Sequence, residues 1–323
     1  MEEAEIVSET QEKEKGNVKY KGNKNKSFKF KYLTSEDKQE IYILGPIFVK
    51  NNKDKCSLII DDIINSELRD KYKFNKKGEH SVTLIINEEN VNFSFLFYIW
   101  KNSSEKSFFD AVDNITRNFE KMFSKENYKK NIYKHFQLNN NLIEVSSLEN
   151  LDTSEYADLS YMFCGCDKIN DFNFVKKWDV SKCKNFEGVF GGCGFNNLDF
   201  LSNWNLINAI NLKHMFRYCI NLNDINGIKN WNVENAENFN GMFYFCKNLI
   251  DANALQNWNM NKAKDIRWMF AFCKNLFYVD SLYKWKLNEN VNKSNIIEGS
   301  NEILNIPSIF KNTTSSSSSC VIY

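Results

Sequence analysis

The chain has 323 residues, of which 42% are hydrophobic, and this is enough apolar material for a sizeable core. Its formal net charge is only +1, so charge gives no reason to expect a nucleic acid as partner. Residues 95–100 are the longest apolar run, far short of the roughly 20 residues that cross a bilayer. Residues 1–16 lack the basic and apolar regions of a secretory signal, and nine cysteines without one are typical of reduced thiols in the cytosol.

The first part of the chain changes character near residue 26. Residues 1–26 are acidic and polar with few apolar side chains, a composition that predicts disorder. Apolar residues alternate at 28–32 and 93–97, and aliphatic runs occur at 41–44, 57–60 and 82–86, which is the pattern of β-strands. We therefore predict a small β-rich module over residues 27–103, which we expect to cap the first of the repeats that follow.

Residues 104–135 have helical periodicity. Apolar side chains three or four residues apart would lie on one face of a helix: Phe108, Val112, Ile115, Phe119 and Met122. Two interpretations remain, a helix packed on the edge of the repeats or a helix bound to a membrane surface. The mixed charge of the polar face favours packing, because surface-binding helices are usually basic.

Residues 136–290 contain one pattern repeated six times. It is marked by phenylalanines 26 or 27 residues apart, by cysteines three residues after five of them, and by tryptophans with the same spacing. The phenylalanines are Phe136, Phe163, Phe190, Phe216, Phe243 and Phe270, the cysteines are Cys166, Cys193, Cys219, Cys246 and Cys273, and the tryptophans are Trp178, Trp204, Trp231, Trp258 and Trp285. A fixed period of this size indicates a solenoid.

Positions within the repeat predict its secondary structure. Counted from the repeat Phe, apolar or small residues recur at minus seven, minus four, minus one, zero and plus three, which form one stripe of a helix about three turns long. The phrase Leu-x-x-apolar that follows is typical of the strand of a leucine-rich repeat. We therefore predict an α/β fold: a leucine-rich-repeat-like solenoid of about six 26–27-residue repeats with parallel short strands, preceded by the β-rich module and the helix.

One phrase of the repeat carries a family resemblance. Residues 231–249, WNVENAENFNGMFYFCKNL, resemble the BspA-like leucine-rich repeats with a Trp-Asn start and a Met-Phe-x-x-Cys core. Residues 43–56, ILGPIFVKNNKDKC, are similar to a leader that often precedes such repeats. The first repeat lacks its Cys and Trp, and the third has extra residues before Leu198, which predicts a bulge. The resemblance implies protein binding or surface adhesion and brings no catalytic residues.

The sequence contains no pattern typical of catalysis. We interpret the cysteines as buried small hydrophobes, since no Cys-x-x-Cys pair occurs and side chains pointing the same way bridge poorly. His80, His135 and His214 are scattered, and no nucleophile or phosphate-binding motif is present. We therefore predict a non-enzymatic protein with no metal, no cofactor and no small-molecule substrate.

Acidic residues recur near the repeat leucine and predict a binding face. Four lie two residues past that leucine and two lie near it out of register, and stacked strands would align them on an exposed surface. The residues are Glu144, Asp171, Asp199, Asp224, Asp251 and Asp280. Such a stripe favours a protein partner with a basic segment, although acidic residues at turns are also commonly just solvated turn formers.

The end of the chain predicts a lipid anchor. Residues 291–323 are polar, and their run of five serines is typical of a flexible linker. Cys320 is followed by Val, Ile and Tyr, the pattern of a C-a-a-X prenylation box, although Tyr is unusual as the last residue. We expect a cytoplasmic protein held on the cytoplasmic face of a membrane through Cys320. The alternative is a surface-exposed adhesin.

Overall fold

The computed structural model describes residues 26–100, 136–300, 303 and 306–310. Three sequence predictions lie outside the described residues. These are the disordered N-terminus apart from Lys26, the amphipathic helix at 104–135, and the prenylation box at Cys320.

A β-rich module precedes the repeats. Its elements are β1 (Ser27–Thr34), β2 (Gln39–Tyr42), α1 (Pro46–Asn52), β3 (Cys56–Ile60), β4 (Ile64–Glu67), β5 (Lys71–Phe74) and β6 (Gly78–Ile86), followed by β7 (Ile99–Trp100), β8 (Phe136–Gln137) and β9 (Leu142–Glu144). The main sheet has the order β4-β3-β6-β1-β9, and each of its ladders is antiparallel. Strand β9 comes from the start of the repeat region, so the sheet joins the two parts of the molecule.

Alternation along β1 places one face of the sheet on the core. Phe28 and Phe30 are fully buried, and their rings make edge contacts at 5.8 Å with Phe93 and at 5.0 Å with Phe97. The strand predicted at 93–97 is absent, and this segment is a turn. Phe95 has a φ of 64°, a left-handed conformation that an extended strand does not contain.

The predicted solenoid of helices and parallel strands is wrong. Within the described residues α1 is the only α-helix, every strand ladder is antiparallel, and parallel pairing is limited to isolated bridges. The segments predicted to be three-turn helices consist of turns. In the segment around Phe243, Gly241 and Phe245 have φ values of 56° and 64°, and a right-handed helix does not tolerate two such residues. The same two positions are left-handed around Phe216, at His214 and Tyr218.

The predicted parallel repeat strands are also absent. The first repeat has a strand at this position, β9, but it pairs antiparallel with β1, and the other five repeats, all within the described residues, have none. Every repeat forms a short 3-10 helix just after this position, following a residue with a φ between −141° and −105°. These helices are Ser146–Asn150, Asn173–Lys177, Asp199–Leu201, Asn226–Ile228, Asn253–Leu255 and Asp280–Lys284. From the second repeat onward, this path keeps the apolar residues of the phrase buried without making a strand ladder.

The repeats stack as hydrogen-bonded layers, each named here by its Phe. Alternate N–H groups of one layer donate to carbonyls of the next layer. In the Phe216 layer the donors are Leu212, His214, Phe216 and Tyr218, and the acceptors are Asn238, Asn240, Met242 and Tyr244, at 2.8–2.9 Å. Because these bonds run between layers, each layer relies on its neighbours for the hydrogen-bond partners of its backbone N–H and C=O groups.

The repeat phenylalanines form a column of stacked rings. Phe190 and Phe216 have ring centroids 6.0 Å apart with an interplanar angle of 3°, and Phe216 and Phe243 are 5.5 Å apart. Successive rings of these three are therefore in contact, one layer apart. The column begins differently from the prediction, because Phe97 stacks on Phe163 at 6.2 Å, whereas Phe136 lies in β8.

Cysteine and tryptophan side chains join each layer to the previous one. The Cys246 thiol donates to the carbonyl of Phe216 at 3.1 Å, and Cys193, Cys219 and Cys273 make the same bond one layer apart. The Trp258 indole donates to the carbonyl of Ile228 at 3.1 Å, and the other repeat tryptophans do likewise. All eight cysteines in the described residues are buried and free of disulfides. These side chains therefore satisfy buried carbonyls as well as fill the core.

The stack continues past residue 290, the boundary placed from sequence. Phe270 and Phe272 donate their N–H groups to the carbonyls of Ile296 and Glu298 at 2.8 and 2.7 Å. Ile296 is fully buried, as expected for a further layer.

Candidate partner-binding face

The acidic residues picked out by the sequence lie on one surface of the stack, in two neighbouring columns at the start of the 3-10 helices. The first column precedes the helix by two residues and consists of Glu144, Asp171, Asn197, Asp224, Asp251 and Tyr278. The second column opens the helix and consists of Ser146, Asn173, Asp199, Asn226, Asn253 and Asp280. The structure therefore places Asp199 and Asp280 beside the other four acidic residues, in a face that alternates between acids, amides and other side chains.

The third repeat explains why Asp199 is out of register. Leu198 directly precedes a 3-10 helix, as Ile225 does one layer later, so it is not equivalent to the repeat leucine. Asn197 forms a parallel bridge with Asp224, which fixes it as the member of the first column. The sequence spacing correctly indicated a bulge in this repeat, but it aligned Leu198 with the repeat leucines of the other layers.

First-column residues make the turn that begins each helix. An Oδ1 atom of Asp171, Asp224 and Asp251 accepts the N–H two residues later, at 2.8, 2.8 and 2.6 Å. Asn197 makes the same bond to Asp199 at 3.1 Å. Since an amide serves as well as a carboxylate here, the turn requires the oxygen and not the negative charge.

Glu144 is the exception, because its charge has a partner. Its carboxylate lies 2.7 Å from the Lys31 ammonium and accepts a hydrogen bond from the Ser146 hydroxyl at 2.7 Å. The hydrogen bond from Lys31, and then the one from Ser146, lowers the pKa of Glu144 below its ordinary value. Glu144 therefore joins β1 to β9 and adds little net charge to the face.

A cleft opens on this face between the 3-10 helices of the first and second repeats. It has a volume of about 480 Å³, and its walls include Glu144, Asp171, Ile169 and Phe174. Lys177, on its rim, forms an ion pair with Glu149 at 2.5 Å. The cleft therefore combines apolar walls with carboxylates that are partly balanced by lysines.

The opposite end of the face carries exposed apolar side chains. Ile250, Tyr278 and Tyr283 are 45%, 47% and 63% exposed. One repeat earlier the corresponding positions hold Asn223, Asp251 and Gln256, all of them polar. Sequence reasoning missed these residues, although a polar position turning apolar within a repeat is a signal that was available.

The ionisable groups with strongly shifted pKa values lie inside the protein, away from this face. Burial raises the pKa of the Cys219 and Cys273 thiols to about 12, so both stay protonated at neutral pH. Burial, with a smaller effect from Arg217, lowers the pKa of His214 well below its usual range. Arg217 approaches His214 Nε2 through Nη1 at 2.8 Å, and its guanidinium lies 4.2 Å from the centre of the Tyr244 ring.

Two further kinds of feature are absent from the described residues. No helix among them has both the length and the apolar character needed to cross a bilayer. No group of three or more His, Cys, Asp or Glu side chains in the part of the chain that the structure describes is arranged to hold a metal ion.

The fold and the face define a protein built from repeated turn layers with a mixed acidic and apolar surface. A family described as "Mycoplasma protein of unknown function, DUF285" matches residues 117–252 and 195–310. Together the two matches span more than half of the chain, so the chain belongs to this family, which is related to the BspA-like repeat proteins. Neither the curated proteins nor the solved structures yielded a significant match.

Proposed function

We propose that this protein is a non-enzymatic scaffold that binds a protein partner, with a basic segment of that partner lying on the face formed by the two columns. The observation that carries the proposal is the set of carboxylates whose charge the turns do not need. Asn197 makes the same turn bond as Asp171 and Asp224, so the turn does not require the negative charge at the latter two, and that charge is free to act on a partner.

Charge on this face is available to a partner. Asp171, Asp224 and Asp251 form no ion pair with any lysine or arginine among the described residues. An uncompensated acidic surface attracts basic segments and speeds their association, most strongly at low ionic strength. Binding should therefore weaken as salt is raised.

The rigidity of the layers supports recognition. Backbone hydrogen bonds between layers and the buried Trp and Cys contacts fix the spacing of the columns. A preorganised surface loses little conformational entropy on binding, so more of the contact energy becomes affinity.

Charge substitutions that preserve the turn test this proposal. In Asp171→Asn with Asp224→Asn, the amide oxygen replaces the carboxylate in the turn, so the fold should hold while affinity for the native partner falls. Asp171→Lys with Asp224→Lys should weaken binding further, whereas Lys176→Gln, which removes a positive charge from the same surface, should not weaken it. Partners captured from the native host with the wild-type chain would be identified, and their Kd measured at two salt concentrations. An unchanged Kd in the Asn and Lys variants would remove the acidic face from the function.

A lipid anchor is part of the proposal and concerns a residue outside the described chain. Prenylation of Cys320 would hold the scaffold on the cytoplasmic face of a membrane, and one lipid chain gives only weak, reversible binding. Cys320→Ser should then shift the protein from the membrane to the soluble fraction. Intact mass spectrometry of the protein from its native host, showing an unmodified chain end, would contradict it.

Surface adhesion is the second candidate, favoured by the family's relation to the BspA-like proteins. In that case the chain would be a BspA-like adhesin exposed on the cell surface. Antibody labelling of intact and permeabilised cells separates the two candidates, because a cytoplasmic scaffold is labelled only after permeabilisation.

A further inference from the structure

The last layers of the face carry a patch in which exposed apolar side chains stand beside two carboxylates. We define the Tyr278 patch as Ile250, Asp251, Phe277, Tyr278, Asp280 and Tyr283. In a stack of repeats, the same position in successive layers lies in one column, and three columns change here from polar to apolar. The change occurs within two adjacent layers, which distinguishes the patch from apolar residues scattered singly over a surface.

Backbone contacts hold the patch together. Tyr278 forms a parallel bridge with Asp251, and Phe277 donates its N–H to the carbonyl of Ile250 at 3.0 Å. The rings of Phe277 and Tyr278 are 6.5 Å apart. The patch therefore spans two rigid layers rather than a single loop tip.

The two carboxylates lie within the same patch. Asn253 links them, since its N–H donates to Asp251 Oδ1 at 2.6 Å and its side-chain amide donates to Asp280 Oδ1 at 3.1 Å. Asp280 and Tyr283 lie three residues apart in a 3-10 helix, where side chains at that spacing point the same way. Each carboxylate is thus fixed beside an exposed tyrosine.

The nearest lysine in the helix does not neutralise the patch. Lys284 donates to Gln256 Oε1 at 2.5 Å, in the previous layer. Neither Asp251 nor Asp280 has an ion-pair partner in the chain's described part. The patch therefore presents negative charge next to aromatic rings.

This combination is complementary to a cation attached to an apolar segment. An exposed tyrosine ring attracts an ammonium or guanidinium group through its π-face, and a neighbouring carboxylate adds a charge-assisted hydrogen bond. Ile250 and Phe277 offer apolar contact for the stem of that side chain or for its neighbour. Tyrosine is also among the residues that contribute most to protein interfaces.

We infer that the Tyr278 patch is the principal contact for a protein segment in which a lysine or arginine stands next to an apolar side chain. The inference rests on the proposed function, because it names where on the scaffold the basic partner is held most tightly. The remaining columns then supply long-range attraction, and the patch supplies the close contacts.

Defined peptides test the patch on the full chain. The probe is a short fluorescein-labelled peptide of alternating lysine and leucine, with glutamate–leucine and lysine–serine peptides as comparisons, followed by fluorescence anisotropy. The lysine–leucine peptide should bind best, since it alone offers both cation and apolar group. Tyr278→Ser with Tyr283→Gln should weaken its binding by about tenfold or more. Asp280→Asn should weaken it less and reduce its salt dependence.

Ile220→Ser is the matched control, because Ile220 is 45% exposed in the Phe216 layer and lies outside the patch. Its peptide affinity should equal that of the wild type, and thermal melts should show all variants folded. Equal affinity in the tyrosine variant and the wild type would overturn the inference, as would equal binding of the lysine–serine peptide. Sedimentation that shows wild-type self-association lost in the tyrosine variant would assign the patch to a second copy of this chain instead.

The outcomes also separate this inference from the proposed function. If Asp171 and Asp224 variants lose the native partner while the tyrosine variant keeps it, the patch is excluded and the scaffold stands. If the peptide binds the patch but no native partner depends on any column, the patch stands and the scaffold is excluded.

Discussion

The β-rich module and the repeat stack bury similar apolar side chains by different backbone paths. In the module, extended strands alternate residues between two faces, as β1 does with Phe28 and Phe30 inside and Lys29 outside. In the stack, left-handed residues on both sides of the repeat Phe turn the chain so that alternate N–H groups reach the next layer. An apolar pattern can therefore specify which side chains are buried and leave the backbone path open.

The two regions also differ in how contacts are shared. In the module, β1 pairs with β6 and β9, which come from distant parts of the chain, and of the described strand pairs only β3 and β4 are joined by a tight turn. Each layer of the stack contacts the layer before and after it through the same atoms, one repeat apart. A destabilising substitution in the stack should therefore reduce stability mainly in the adjacent layers. A destabilising substitution in the sheet should reduce the stability of the whole module.

Removal of one ring from the Phe column should have the largest effect. Phe216 is fully buried between Phe190 and Phe243, and Phe216→Ala leaves a cavity in the middle of the stack. We expect a loss of about 3–5 kcal/mol in the free energy of unfolding, measured by chemical denaturation. Hydrogen exchange should accelerate most in the two adjacent layers.

The comparison variant for that experiment is Phe30→Ala in β1, whose ring contacts Phe97. Its exchange should accelerate across the strands β1, β3 and β6 together. If both variants accelerate exchange uniformly over the described chain, the two regions unfold as one unit, and the contrast between them is wrong.

Gly227→Ala, which adds a single methyl group, should have the next largest effect on stability. A Cβ atom there would overlap the backbone carbonyl of Leu198 in the bulged third repeat, and that carbonyl cannot move without shifting the layer. Gly227→Ala should therefore cost about 1–3 kcal/mol of stability by thermal or chemical unfolding. The equivalent position one layer later is Ala254, where the natural side chain shows that the layer geometry itself accepts a Cβ. Stability of Gly227→Ala equal to that of the wild type would mean that the third repeat is not tightly packed against its neighbour.

Loss of the hydrogen bond that a first-column side chain makes in its turn should lower stability moderately. The loss should depend on the acceptor oxygen and not on the negative charge. Asp224→Ala removes the acceptor for the Asn226 N–H and should destabilise by about 0.5–2 kcal/mol, as the loss of a helix cap does. Asp224→Asn keeps the acceptor and should stay close to the wild type in thermal unfolding. Equal destabilisation by both substitutions would show that the charge itself holds the turn.

Parts of this arrangement could be predicted from sequence and others could not. The stacking of Phe190, Phe216 and Phe243 follows from their fixed period, because only a repeated layer brings them to one place. The backbone path does not follow, since the apolar positions around Phe243 suit a helical stripe equally well, and nothing in a Phe or Tyr indicates a left-handed φ. Asp199 lies beside the other acidic residues, although the spacing had aligned Leu198 with the repeat leucines and the structure does not.

Loss of the ion pair at the junction between the two regions should have the smallest effect on stability, and that effect should depend on pH. Lys31 of β1 and Glu144 of β9 form an ion pair across the sheet, and both side chains are about two-fifths exposed, so solvent screens the pair. The folded protein holds the pKa of Glu144 below its ordinary value of 4.5, so the unfolded chain takes up the proton first as pH falls. The stabilisation is therefore fully present above the ordinary pKa and is lost as pH falls through the lowered value.

Glu144→Gln should accordingly lower the melting temperature slightly at neutral pH and leave it equal to the wild type in acid below the lowered pKa. Raised salt should shrink the difference at neutral pH, because the pair is exposed. A difference that persists in acid would mean that Glu144 supports the junction through its hydrogen bond with Ser146 and its packing rather than through charge. In that case the sheet and the stack would be joined by geometry alone, and their coupling would not respond to pH.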